Sequence, residues 1–283
     1  MMGLEKVIKV LAILSFATAL ASCASKPSAP AEDAEQKARE EVQANLSPEE
    51  KAELNKRQQE VGGSHSQLGK LLKEKRHQEL QREASKILSK NPYDLKALSA
   101  LGLMHMNQNQ LGAARIFFEK ALKKHPNEAG LYNNIGVIQL KEGNLQDAYL
   151  SFKKAYGMER QNPVVQANLG SIYVKYMDYV EAEPLVEDAY STMTDNVIVA
   201  NNYAIVLRTQ GQYEEAQKVY EKALSLNSRN ISTNLNYAIL LVDYMKKYDK
   251  ARQIVNKIEF LNPTEKYVLR KVQELQRKVT SAK

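Results

Sequence analysis

Cysteine and histidine are the residue types most often recruited as nucleophiles or metal ligands, and this chain has one cysteine and four histidines. His65, His77, His105 and His125 are scattered, with no ligand-set spacing between them. No carboxylate pair, glycine-rich phosphate loop or nucleophile–base arrangement stands out either. No catalysis, metal, cofactor or small-molecule substrate is expected. Cys23 alone can form neither an internal disulfide nor a thiolate metal site. Its surroundings supply another chemistry. Lys6 and Lys9 make a basic start, apolar runs cover Val10–Leu14 and Phe16–Leu20, and small residues lead to the cysteine. Residues 1–22 therefore read as a secretory signal, too short for a spanning helix.

The run Leu20-Ala21-Ser22-Cys23 resembles the lipobox of bacterial lipoproteins. That resemblance implies a diacylglycerol on the Cys23 thiol, cleavage just before it and acylation of the new amino terminus, a stable multi-chain anchor. The alternative is a cleaved signal with an incidental cysteine. No aspartate follows Cys23, which resembles an outer-membrane address; the expected location is the bacterial envelope, on the periplasmic face of the outer membrane. Residues 23–46 carry Pro27, Pro30, several alanines and mixed charges, and read as a lipidated tether. Ser47-Pro48-Glu49-Glu50 begins a short helix over 47–60 with Ser47 as N-cap, and Gly62-Gly63 is expected to stop it. That helix is largely polar and should pack weakly.

The net charge is +7, and much of the excess sits at the end. From Tyr244 to Lys283 there are eleven Lys or Arg against four Asp or Glu. Such an end could meet anionic lipid or an acidic partner, or be a solvated helix face. Export makes nucleic acid a poor partner.

Repeats decide the fold. Gly102, Gly136, Gly170, Ala204 and Ala238 lie thirty-four residues apart. Ala114, Ala148, Ala182 and Ala216 repeat at the same period, as do Ala121, Ala155, Ala189 and Ala223. Between them recur Phe118, Phe152, Val186 and Tyr220. Small residues on two helices let the backbones approach, and the large one fills the gap. This pattern resembles the tetratricopeptide repeat, a pair of antiparallel helices. The resemblance implies an all-α, right-handed superhelical solenoid of five to six pairs. Units are framed at 95–128, 129–162, 163–196, 197–230 and 231–265, the last one residue long. A degenerate unit over 61–94 precedes them: Leu68-Gly69 opens it, Ala84 and Ile87 close it, and its spacing comes out one residue short. Within 266–283, Val268, Val272, Leu275 and Val279 form one apolar stripe, read as a capping helix.

In this family the first helix of each pair lines a concave groove where ligands lie. The ninth positions here are Leu103, Val137, Ser171, Ile205 and Ile239, and the twelfth Met106, Leu140, Val174, Arg208 and Val242. Exposed aliphatics along a groove would bind an apolar helix or extended segment; alternatively the superhelix or the 48–60 helix covers them. Asn134, Asn168, Asn202 and Asn236 also recur at thirty-four. They could bond the neighbouring helix or grip a peptide backbone. The family's chaperone-type lysine clamp is absent, since the fifth positions are Ser99, Asn133, Ala167, Asn201 and Leu235.

Lipobox, tether and about six repeats together resemble the pilotin lipoproteins of type IV pili. That resemblance implies a non-enzymatic scaffold whose protein partner is the outer-membrane secretin. The other reading is a scaffold in another envelope machine: outer-membrane protein insertion, gliding motility or a cell-wall enzyme complex.

Overall fold

The computed structural model describes residues 47–282. The signal, Cys23 and the 23–46 tether lie outside them. The described residues are all helical and separate into two units, one ending at Ile138 and one beginning at Gln139.

The first unit opens with α1 (Pro48–Lys73) and α2 (His77–Lys90), followed by α3 (Leu95–Asn107), α4 (Leu111–Leu122) and most of α5 (Ala129–Lys141). Ser47 caps α1: its hydroxyl accepts from the Glu50 N–H at 3.2 Å while the Glu50 carboxylate accepts from the Ser47 N–H at 2.9 Å. The expected stop at Gly62-Gly63 does not occur, because α1 runs through both glycines. Each costs about 1 kcal/mol relative to alanine in a helix. The flanking turns offset this: Leu68 and Leu71 are buried, and His65 reaches Asp94 at 3.0 Å, pinning α1 to the start of α3. The short 47–60 helix is thus the beginning of a longer one whose end supplies the first half of a repeat.

The first pair also corrects the register. Left-handed backbone recurs at Lys75, Asn109, Gly143, Met177, Gly211 and Lys246, in the turns within successive pairs. Lys75 precedes Asn109 by thirty-four, so no residue is missing. Leu68, rather than Gly69, stands at the position of Gly102, and Ala84 at that of Phe118. All four are buried. Glycine facing phenylalanine has been exchanged for leucine facing alanine, which keeps the packed volume and hides the copy from a search for small residues. Around this pair the core joins Leu80, Ala97, Leu101 and Met104; the next cluster joins Leu98, Ala114, Phe118, Leu131 and Ile135.

The second unit contains the end of α5, then α6 (Leu145–Met158), α7 (Pro163–Lys175), α8 (Tyr179–Thr192), α9 (Val197–Thr209) and α10 (Tyr213–Leu226). It closes with α11 (Ile231–Ile239), α12 (Tyr248–Phe260) and α13 (Lys266–Ser281). Asn162, Asn196 and Asn230 cap α7, α9 and α11 through their side-chain oxygens. Connections of three to five residues make neighbouring helices antiparallel. The first helices of successive pairs, α7, α9 and α11, touch one another and form one layer.

The extra residue of the last repeat is absorbed by a π-helical turn, Leu240–Tyr244, that continues α11. Beyond it α12 buries Ala251, Val255 and Ile258. The terminal helix α13 buries Val268, Val272, Leu275 and Val279, the expected stripe. Where α3, α5, α7, α9 and α11 carry a buried glycine or alanine, α13 has exposed Gln273.

Candidate partner-binding face

Among the recurring first-helix residues, the first unit holds Leu103 and Met106 on α3 and Asn134 and Val137 on α5, all half-buried. Leu103 and Met106 pack against the cluster around Phe118. In the second unit Leu140, Val174 and Ile239 are half-buried, as are Asn168 and Asn236. Ile205 is only 9% exposed and Val242 2%. The expected row of exposed aliphatics is therefore a row of partly covered ones, closed at two places. Ile205 lies on α9, which has first helices on both sides. Val242 belongs to the π turn, whose wider winding rotates it into the core with Leu240 and Leu241.

Arg208 occupies the twelfth position of α9, between Val174 on α7 and Val242 after α11. Its Nη1 donates to the Tyr244 hydroxyl at 3.0 Å, and its guanidinium lies 5.1 Å from the Tyr244 ring centre. Tyr213 packs on the same ring at 5.2 Å. The Arg208 Nε and the Tyr220 hydroxyl are both buried, and the guanidinium interacts with that hydroxyl on α10. A guanidinium held between two tyrosines can turn its outer N–H groups to a carboxylate or backbone carbonyl set among apolar contacts.

The asparagines form amide contacts across the helix layer. Asn236 Nδ2 donates to Asn201 Oδ1 at 3.0 Å, and Asn201 Nδ2 to Asn202 Oδ1 at 3.4 Å. The bonds run between side chains, and Asn201, a fifth-position residue, is their centre. Tyrosines also concentrate here in a way no fixed spacing announced: Tyr149 meets Tyr173 edge-on at 5.8 Å, and Tyr190 stacks on Tyr203 at 4.9 Å. The available signal was composition, fifteen tyrosines and no tryptophan.

The histidines have structural roles. His65 holds Asp94, His105 stacks on Phe117 at 5.3 Å, and His125 Nε2 lies 3.0 Å from the Tyr93 carbonyl. No group of three or more potential metal ligands occurs among the described residues.

Models of the tetratricopeptide repeat match residues 95–125, 117–149 and 207–275. The comparison with curated proteins finds no match. Solved structures share the fold. YrrB, described as a TPR protein with an unusual peptide-binding site, aligns with TM-score 0.51 and 19% identity over 66% of this chain and 96% of its own. PilF of Pseudomonas aeruginosa aligns with TM-score 0.51 and 23% identity over 66% of this chain and 88% of its own. A chain of the APC/C hetero-tetramer Cut9–Hcn1 gives TM-score 0.58 and 16% identity over 76% of this chain but only 45% of its own. The chain thus carries tetratricopeptide repeats in a protein-interaction scaffold fold.

Proposed function

We propose that this chain of tetratricopeptide repeats is a non-enzymatic envelope lipoprotein, anchored through Cys23, that holds a protein partner on the face of its first helices. Assembly of the type IV pilus secretin is the role its organisation suits best. The observation that carries the binding face is the set of half-buried aliphatics Leu140, Val174 and Ile239 on first helices of the second unit, with the Arg208 guanidinium held beside them by Tyr244. An extended segment could place a carbonyl or carboxylate on the outer guanidinium nitrogens and apolar side chains on Leu140, Val174 and Ile239. Lipobox and tether would keep the face near the membrane while letting it reach a partner. The second reading, a scaffold for another envelope complex, shares all of this and differs only in the partner.

The test compares wild type with Cys23→Ser and with Leu140→Glu/Val174→Glu. Those two residues are chosen because both are half-buried in the second unit, whereas a charge at buried Ile205 would threaten the fold itself. Labelling with a radioactive fatty acid should mark wild type and leave Cys23→Ser unmarked. The groove variant should keep its helical content and its label, yet lose partner capture and reduce secretin multimers in the outer membrane. Normal secretin multimers alongside loss of a different envelope assembly would transfer the role to the second reading. Full capture by the folded groove variant would remove the face from the mechanism.

A further inference from the structure

Among the described residues of the second unit, exposed apolar side chains gather at two turns. The first is the turn from α7 to α8, where Tyr176 is 45%, Met177 74% and Val180 80% exposed. The equivalent residues one repeat earlier are Glu142, Gly143 and Gln146, and one repeat later Gln210, Gly211 and Glu214. Only this repeat puts three large apolar groups there, and Met177 holds a left-handed backbone that glycine fills in both neighbours. The second patch is at the turn from α12 to α13: Phe260 is 86%, Tyr267 58% and Leu269 44% exposed. An exposed phenylalanine at that level pays a solvation cost that nothing in the free fold returns.

Charge tells the patches apart. From Tyr176 to Leu207 there are six Asp or Glu and no Lys or Arg. On α8, Val180, Glu183, Pro184 and Glu187 fall on one helical face, so the apolar tip continues into acids. Pro184 has no N–H, which leaves the Val180 carbonyl without its usual partner within the helix. The α13 end is the opposite: Lys266 and Arg270 are exposed beside Tyr267 and Leu269. Glu181, Glu183, Glu187, Lys266 and Arg270 form no ion pair among the described residues. Each patch therefore carries unspent charge of one sign around an apolar centre, and the chain itself bears the complement of each.

We propose that the chain self-associates head to tail, the Phe260/Tyr267/Leu269 patch with Lys266 and Arg270 of one copy docking on the Tyr176/Met177/Val180 patch and acidic α8 face of the next. The two surfaces differ, so the contact is heterologous: each copy keeps one free patch of each kind, and association proceeds to a ring or an open row. With three apolar side chains on each surface the contact is expected to be weak and reversible, and long-range attraction between opposite charges makes it salt-dependent.

Sedimentation velocity of the full chain, kept in one detergent throughout, tests this. At about 50 mM salt the sedimentation coefficient should rise with protein concentration; at about 0.5 M, where the screening length falls to a few ångströms, that rise should largely vanish. Glu181→Lys/Glu187→Lys and Lys266→Glu/Arg270→Glu alter exposed side chains only. Each variant should keep its circular dichroism spectrum and self-associate at least about tenfold more weakly. Mixing the two restores opposite charges at every contact and should restore association, which a merely structural effect of either substitution would not produce. A wild type that stays monomeric at low salt overturns the proposal. So does association that both reversals leave unchanged, or a mixture that fails to recover. Flotation with phosphatidylglycerol vesicles, lost on Phe260→Ser/Tyr267→Ser while self-association is absent, would also overturn it and assign the α13 end to a membrane surface.

Discussion

Gly102→Ala is a one-atom probe of how closely the two helices of a repeat approach. A Cβ on Gly102 would lie 2.5, 2.7 and 2.9 Å from three atoms of the Phe118 ring. Carbon atoms settle near 3.5–4.0 Å, so the ring or the helix must give way by about 1 Å. Phe118 is fully buried among Leu98, Ala114, Ala121 and Leu131, which leaves it little room to retreat. Overpacking of this kind costs about 1–3 kcal/mol. Against it, alanine gains about 1 kcal/mol over glycine within a helix. The net expectation is a loss of up to about 2 kcal/mol. Phe118→Leu by itself removes ring volume and costs on the order of 1–2 kcal/mol. In that background the new methyl has space, and Gly102→Ala should turn neutral or stabilising by up to about 1 kcal/mol. The cycle thus predicts a coupling of roughly 2 kcal/mol, within the range of contacting residues. Urea unfolding followed by far-ultraviolet circular dichroism reads it, provided the transition slopes of the four proteins agree. If Gly102→Ala stabilises the wild-type background and the coupling is zero, the close approach of α3 and α4 is wrong.

Gly211→Val should cost at least about 1–2 kcal/mol, because Gly211 has φ of 80° and a β-branched residue fits that region poorly; a melt lowered less than that of an exposed helix substitution would contradict it. Glu221 gives a pH signature. Burial opposes its ionisation, yet bonds from Lys250, from the Tyr237 hydroxyl at 2.6 Å and from Gln217 at 2.7 Å outweigh this and hold its carboxyl down at about 2. A folded-state value below the unfolded one, ordinarily about 4.3, means stability present above that value and lost as pH falls toward 2. The stability difference between wild type and Glu221→Gln should therefore shrink between about pH 4.3 and 2, and a pH-independent difference would refute the ionic role.

Sequence periodicity alone carried the helix pairs. A small residue on one helix facing a large one on the next is a local code, since both lie within a single thirty-four-residue unit. Gly102 and Phe118, or Gly170 and Val186, announce the contact they make; a Cβ on Gly170 would meet Val186 Cγ1 at 2.7 Å. The capping stripe of α13 was readable for the same reason, its spacing being that of one helix face. The first pair was legible only as a degenerate copy one residue out of register, because Leu68 and Ala84 keep the sum of volumes while exchanging the parts, and packing constrains the sum. Gly62-Gly63 misled because helix continuity there depends on distant partners: Leu68 and Leu71 bury against later helices, and His65 bonds to Asp94, twenty-nine residues on. The binding face divides along the same line. Its residues are set by register and could be named from spacing. Their accessibility depends on what lies beside them. Ile205 is covered on a helix with neighbours on both sides, and one inserted residue, taken up as a π turn, rotates Val242 into the core. Spacing places a side chain on a helix, whereas its exposure is decided by the neighbouring helices that tertiary packing brings against it.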